Sequence, residues 1–430
     1  MELAEKILNR LDIFKPQKKF LITLFTTILI ARGKINFRNL SRYSHYSERT
    51  YARQFDESFN FMGFNRAIIN ESIDQGQDQD QDQGQGQGQD QNQDQNQDQN
   101  QASARILALD ASFIPKSGNK TYGIDHFWNG CQSRKEKGLE ICAIALVDVD
   151  KNTAFTLSVA QSAPLCANQE AETEDEETRI DQYLQHLREV CPYVEADETY
   201  LSVDGYFSKK KFIDGVRNLH LHQIGRLRCD ADMRYLYTGP KREKGSGRQK
   251  VYDGKVDWQD LARFTYHHTK NHIAMYSLML NHKSLKRNLK VVVLVNEKIK
   301  NKKNYVILFS TDTALDAQTI VTYYKARFQI ELIFRDAKQF TGLSDAQTRD
   351  QKRLDFHFNA ALTTLNLSKV EHVQTWADTP QKPFSMASIK ACYFNTFFLE
   401  KFFSMFDLDL KCIKKSHKYQ YLINYGNIAA

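Results

Sequence analysis

From Asp74 to Gln101 the chain reads DQGQDQDQDQGQGQGQDQNQDQNQDQNQ, with Gln at every second position and no apolar side chain. A segment with nothing to bury cannot offset the entropy of ordering itself, so it is expected to be a flexible linker and a boundary between folded parts. It also conceals the charge of the rest. Seven Asp and no Lys or Arg lie between Asp74 and Asp98, so a net charge of +7 becomes +7 + 7 = +14 outside the tract. That excess favours a polyanionic partner, nucleic acid foremost.

With 430 residues and 41% hydrophobic content, the chain has material for a sizeable core and for two or three domains. The apolar run FLITLFTTILIA, Phe20 to Ala31, is too short to span a bilayer, and Arg32 and Lys34 follow where a signal peptide would need small residues. A cytoplasmic protein with no membrane partner is expected. Seven cysteines without a CxxC pair argue against a disulfide framework and against a zinc site, leaving reduced thiols.

Before the tract, residues 1–73 suit a helical N-terminal domain. Lys18 to Arg32 reads as one buried helix, and Asn36 to Ser44 and Ser47 to Phe59 as two more, the last capped by Ser47. Arg38, Arg42, Arg49 and Arg53 alternate there with Tyr43, Tyr46 and Tyr51, a pattern that suits DNA contact as in a helix-turn-helix. After the linker, residues 74–103, the periodicity changes. RILALDASF, LEICAIALVDVD and AFTLSVAQ read as three strands, IDQYLQHLREV as a helix, TYLSVDGYF as a strand, KKKFIDGVRNL as a helix and LHQIGRLR as a fifth strand. This order resembles a ribonuclease-H-like α/β layer over residues 104–228.

Residues 229–303 break the alternation. VDWQDLARFTY, IAMYSLMLN and LKVVVLVNE are strand-like and separated by Gly- and Lys-rich turns, so a β-rich insertion is expected. Residues 304–372 return to the core with the strand NYVILFSTD and one long helix, with Asp316 as N-cap and Gly342 as its stop. Residues 373–430 are expected to be helical and aromatic, either as core or as a dimer contact.

Two carboxylates stand where apolar strands end, Asp110 in ILALDAS and Asp204 in LSVDGYF. A carboxylate at such an edge should be paired, hydrogen-bonded or on a metal. Glu331, on the long helix, supplies a third hard oxygen ligand. Three carboxylates without His or Cys suit Mg²⁺ or Mn²⁺ rather than zinc. Two such ions about 4 Å apart serve phosphodiester displacement. Asp148, Asp150, Asp197 and Asp312 also lie near strand ends, and spacing alone does not exclude Asp312. What favours Glu331 is its company. On a helix at about 100° per residue, Tyr324, Arg327, Glu331 and Lys338 fall within roughly 60°. Arg and Lys hold phosphate oxygens, and a Tyr hydroxyl donates to the same group.

Those four residues reproduce the Y-x2-R-x3-E-x6-K signature of DDE transposases of insertion sequence family 4, which the chain resembles from about Arg105 to Leu367. FWNGCQSRKEKGLEICAIALVDVD, LSVDGYFSKKKFIDGV and LFSTDTALDAQTIVTYYKARFQIELIFRDAKQFTGL are similar to family segments in the same order. The resemblance implies a ribonuclease-H-like core interrupted by a β-insertion between the second Asp and the Glu. It implies a triad of Asp110, Asp204 and Glu331 on two Mg²⁺ ions, with Mn²⁺ tolerated, and phosphate contacts from Tyr324, Arg327 and Lys338. It further implies double-stranded DNA partners, the element ends and a target, and a homodimer in the DNA complex. Trp258 is the tryptophan available in the insertion to hold a flipped base, or a core residue. The Gln-rich tract and Phe328, where a Trp often follows the Arg, depart from the family pattern. The same residues also suit a metal-dependent nuclease without strand transfer, and a decayed copy would only bind DNA.

Overall fold

Alternate apolar residues of RILALDASFIP face opposite sides of a sheet, and each side needs its own cover. The computed structural model describes residues 1–82, 104–130, 132–164, 178–240, 247–299, 304–375, 383–406 and 413–428. Its twelve strands form one mixed sheet in a mixed α/β fold. Strand β3 (Arg134–Asp148) pairs antiparallel with each of β1 (Arg105–Pro115), β2 (Asp125–Asn129) and β4 (Thr153–Gln161). Strands β5 (Tyr200–Ser202) and β6 (His222–Leu227) then add parallel to β1. The order across this part is β4, β3, β1, β5, β6.

The sheet does not stop there. Strand β12 (Tyr305–Ser310) pairs antiparallel with β6, and beyond it lie β11 (Arg287–Asn296) and β10 (Ile273–His282). The outer strands are β7 (Met233–Leu236), β8 (Tyr252–Lys255) and β9 (Thr265–Lys270). The described residues between 229 and 303 thus extend the same sheet. VDWQDLARFTY, read as one strand, is instead a turn-containing segment from Val256 to Phe264 that joins strand only at β9. It folds its apolar residues onto the sheet: Val256, Trp258 and Phe264 pack with Tyr235, Leu289, Val291 and Phe309.

Two further cores cover the two faces around β1. Leu107, Leu109, Ile144 and Leu146 face the N-terminal helices α1 (Glu2–Arg10), α2 (Lys15–Ile30), α3 (Phe37–Leu40), α4 (Glu48–Gln54) and α5 (Phe61–Asp82), together with α6 (Arg179–Val190) and α7 (Lys210–Asn218). The N-terminal helices therefore share a core with the sheet. Ser47 caps α4, its Oγ accepting from Thr50 N at 3.2 Å. Helix α3 is a single turn rather than the expected Asn36 to Ser44, and Tyr51 is fully buried against Phe20. Arg38, Arg42, Arg49 and Arg53 are all exposed. Helix α5 continues into the Gln-rich tract as far as Asp82, as Gln permits in a helix. The remainder of the expected linker, residues 83–103, lies outside the described residues.

On the opposite face Ile106, Ala108, Ile114, Ile141 and Ala143 meet Ala326, Ile330, Ile333 and Ala337. Helix α10 (Gln351–Thr375) reaches both cores and is buried nearly all round, so its polar residues need partners. They find them on the edge of β4. Asn359 donates to Val159 O at 3.2 Å, Asn366 exchanges two bonds with the Thr156 backbone at 3.0 and 2.8 Å, and Lys369 donates to Ala154 O at 2.6 Å. Asn65 of α5 adds a bond to Leu157 O at 3.2 Å. A strand edge that would otherwise recruit another chain is thereby closed. Helices α11 (Met386–Met405) and α12 (His417–Ile423) complete the C-terminal part. Cys142, Cys191 and Cys229 carry free thiols, and among the described residues no helix is long and apolar enough to cross a membrane.

Two histidines in these cores carry a pH signature. Burial pushes His186 and His357 down to about 4, while His186 Nε2 meets Ser158 Oγ at 2.8 Å and His357 Nε2 donates to Gly342 O at 2.8 Å. Their unfolded-state value near 6.5 lies above the folded one, so the unfolded chain binds more protons in that interval. Their contribution is complete above pH 6.5 and is lost as pH falls through 4. Thermal unfolding should show a loss on the order of 3 kcal/mol per histidine across that window. His357→Gln, which keeps a donor for Gly342 O, should flatten the profile; an unchanged profile would contradict the assignment.

Candidate active site

Strand β1 is parallel to β5, and both carry Asp toward the same end of the sheet. Asp110 lies within β1 opposite Ala143, and its Oδ1 accepts from Ala111 N at 2.9 Å. Asp204 lies two residues past the end of β5 and caps the short turn Gly205–Phe207, its Oδ1 accepting from Tyr206 N at 2.8 Å. The other strand-end acids belong to the opposite end. Asp148 pairs in register with Arg105 at the start of β1, Asp150 accepts from Ala104 N, and Asp197 holds Arg105 at 2.7 Å. Asp312 accepts from the Tyr200 hydroxyl at 2.8 Å, at the start of β5. The direction of the parallel strands therefore separates Asp110 and Asp204 from four acids that spacing left open.

The third carboxylate arrives on a broken helix. Asp316 caps α8 (Ala317–Ala326) by accepting from Gln318 N and Thr319 N at 2.8 and 3.1 Å. The single helix expected from there to Gly342 is instead α8, α9 (Gln329–Asp336) and a π-helical turn, Ala337–Thr341. At the break, Phe328 N, Ile330 N and Glu331 N bond three residues back at 3.0–3.1 Å, to Lys325 O, Arg327 O and Phe328 O. No Pro or Gly marks this place, so the sequence gives no warning of it. Gly342 ends the run at φ 77°, where a Cβ would collide with Ile35.

The break sets Arg327 between acids. Its Nη2 meets Glu331 Oε1 at 2.8 Å and its Nη1 lies 3.5 Å from Asp110 Oδ2. Burial works against the guanidinium's charge, but Asp110 and Glu331 more than offset that, and its pKa rises. Asp110 is pushed up to about 7 by burial, opposed by Arg327 and reinforced by Asp204 and Glu331. Asp110 thus feels both other carboxylates, with one guanidinium bonded between it and Glu331. Tyr324 is raised by burial, with Arg327 and Arg226 opposing and Asp204 and Glu331 adding, and the Arg327 guanidinium lies 5.8 Å from its ring centroid. Lys338, carried by the π turn, donates to Ser112 Oγ and Phe113 O at 2.8 and 2.9 Å, two and three residues past Asp110. All six sequence-derived residues therefore meet at one sheet end, although Arg327 turns inward onto carboxylates rather than outward. Three like charges in a part-buried site demand a counter-charge, and Arg327 is the nearest.

A tighter acidic trio lies elsewhere. Ligand atoms of Glu195, Asp197 and Glu198 come within 4.8 Å of one another. Arg66 and Arg105 already neutralise them: Arg66 bonds Glu198 at 2.9 and 3.1 Å and pairs with Glu195, and Arg105 lies 3.6 and 3.7 Å from Glu195 and Glu198. Trp258 sits in the core with 9% exposure, its ring 6.3 Å from Phe264 and 6.4 Å from Tyr305.

The family model for the transposase DDE domain matches residues 101–367, which include all three carboxylates. The chain belongs to this family. The span matched by the DDE domain begins before β1 and ends within α10, so it takes in β7 to β11 as well as the strands around Asp110. No curated protein matches the sequence. Among solved structures, the DDE-domain chain is similar to the piggyBac transposase synaptic complex with hairpin DNA, at 11% identity and a TM-score of 0.35. The match covers 69% of this chain and 54% of that one, so the chain spans about half the length of the structure it matches.

Proposed function

We propose that this chain is a transposase of the insertion sequence 4 type, which cuts a bacterial insertion sequence at its ends and joins it to target DNA. The reading rests above all on the placement of Asp110 and Asp204 at one end of parallel strands, with Arg327 joining Asp110 to Glu331, in a member of the DDE family. The strand order β4, β3, β1, β5, β6, antiparallel then parallel, agrees with a ribonuclease-H-like core that carries such a triad.

Asp110, Asp204 and Glu331 fit divalent ions: all donors are hard oxygens, and burial pushes Asp110 up to about 7 even with Arg327 beside it, so a divalent cation would favour its charged form. Two Mg²⁺ ions, with Mn²⁺ tolerated, would activate the attacking oxygen and stabilise the leaving one. The chain's own side chains supply position. Lys338, fixed by Ser112 and Phe113, places its ammonium beside Asp110, and Arg327, here paired with Asp110 and Glu331, would offer a bidentate fork to a phosphate if divalent ions compensated those carboxylates. Tyr324 keeps its proton and donates. In the first step water adds to phosphorus, the bond to the 3′ oxygen breaks, and that oxygen leaves as a 3′ hydroxyl. In the second the 3′ hydroxyl attacks a target phosphodiester and displaces its 3′ oxygen.

Basic surfaces support a DNA partner. Arg32, Lys34, Arg38 and Arg42 line a cleft of about 460 Å³ on the N-terminal helices. Leu261 to Asn296 contains six Lys or Arg and no acid. The exposed Phe398, Phe402, Met405 and Phe406 at the end of α11 suit a homodimer contact. Purified protein, given Mg²⁺ and element ends taken from the DNA flanking its gene, should nick those ends and join them to a plasmid. Cutting without joining would reduce the reading to a nuclease, and metal-independent binding without any product would reduce it to a DNA-binding protein.

A further inference from the structure

Strand β3 runs past the end of β1, and its first residues pair with β2 alone in a two-stranded arm. Trp128 stands opposite Lys135 and His126 opposite Lys137. Residues directly opposite share a face, so one face of the arm carries His126, Trp128, Lys135 and Lys137 and no acid. All four are exposed, Trp128 at 62%. The other face is the packing face. Phe127 is buried there, 5.0 Å from the Arg179 guanidinium, and Glu136 is engaged by Asn129 and Arg134 at 2.6 and 2.7 Å. The acids of the arm are thus held away from the exposed tryptophan.

Register fixes where this face points. Asp110, Ser112 and Ile114 pair with Ala143, Ile141 and Leu139, and continuing by twos along β3 reaches Lys137 and Lys135. The exposed face of the arm is therefore continuous with the sheet face that bears Asp110 and Lys338's partner Ser112. It lies beyond the end of the sheet at which Asp110 and Asp204 stand. Eight residues of strand separate Lys135 from Ala143, roughly 26 Å at about 3.3 Å per residue. That is the span of about seven or eight nucleotide steps.

We infer that the β2–β3 arm is a DNA-holding platform: Trp128 lies against a base, and Lys135 and Lys137 against phosphates, about seven or eight nucleotides from the cleaved bond. An aromatic plane with flanking cations and no carboxylate matches the chemistry of nucleotides, whose bases present π-faces and whose backbone is anionic. Lys137 also bonds Asn119, which steadies its head group on the arm. This inference rests on the DNA reading above and adds a contact site to it.

The test is binding of the full chain, without divalent ions, to a labelled random-sequence 30-base-pair duplex and to a 30-nucleotide single strand, across a series of KCl concentrations. Trp128→Ala should weaken binding about 5-fold or more, and Trp128→Phe should retain most of it. Lys135→Ala with Lys137→Ala should lower the slope of log affinity against log salt by about 1.4 to 1.8. A greater loss on the single strand than on the duplex assigns Trp128 to unpaired bases, and the reverse assigns the arm to a groove. Wild-type affinity and slope in both sets of variants would overturn the inference while leaving the DNA reading intact. If the wild-type chain binds neither DNA, both fall.

Discussion

Asp204→Asn is expected to reduce Mg²⁺-dependent nicking of element ends by at least about 10³-fold while leaving binding to those ends intact. The carboxylate sits on the Gly205–Phe207 turn and accepts from Tyr206 N. An Asn oxygen can still accept that bond, so the turn should survive and the loss should fall on the charge alone. Glu331→Gln should behave alike at its own position. A companion measurement reads the ions without chemistry. With Asp110 at about 7 in the metal-free chain, its proton must leave before a divalent ion binds. Mg²⁺ should therefore raise the melting temperature more at pH 8 than at pH 6, and Asp204→Asn should blunt that rise. The sign for the metal-free chain is opposite. A carboxyl raised from 3.8 holds its proton longer folded than unfolded, so its contribution makes stability fall as pH climbs toward 7. Undiminished nicking by Asp204→Asn would sink the triad.

Arg66→Ala is expected to cost about 3 kcal/mol or more of folding stability, without touching the carboxylate site. Arg66 on α5 is buried, and its Nη1 bonds both oxygens of Glu198, which is wholly buried. Removing the guanidinium strands that carboxylate in a low-dielectric interior, where Arg105 at 3.7 Å and the Glu195 N–H at 2.9 Å compensate only part. Pairing the change with Glu198→Gln should recover much of the loss, because the buried charge then disappears. Chemical denaturation of the two variants measures both effects. A loss below about 0.5 kcal/mol in Arg66→Ala, the range of ordinary surface substitutions, would mean that the network is not structural. The same bond explains why the N-terminal helices are integral: α5 is held to the segment leading into β5 by charge as well as by shared apolar contacts.

Much of this architecture is legible along the chain because it depends on local periodicity. The runs around Asp110, Val203 and Ile307 alternate or cluster apolar residues as strands must, and Ser47, Asp316 and Gly342 punctuate helices through their own side chains or backbone freedom. The shared arc of Tyr324, Arg327, Glu331 and Lys338 could be chosen from sequence for the same reason, whereas Asp110 and Asp204 were two among six strand-end acids. Charge outside the Gln-rich tract could be counted. Three things could not be read this way. The break at Arg327 and the π turn beneath Lys338 carry no Pro or Gly, because contacts to Asp110, Ser112 and Phe113 across the sheet select them. The role of each strand-end acid depends on strand direction, which places Asp312 at the start of β5 and Asp204 at its end. The polar residues of α10 look misplaced in a buried helix until β4 presents its edge to them. Sequence by itself determined most of the helix and strand segments and which residues are proposed to carry the chemistry, since these follow from neighbours a few positions away. Only the tertiary structure decided which carboxylates face one another, where Arg327 turns and which face of the β2–β3 arm stays open. Those depend on register and packing between residues up to hundreds of positions apart, and no local spacing encodes them.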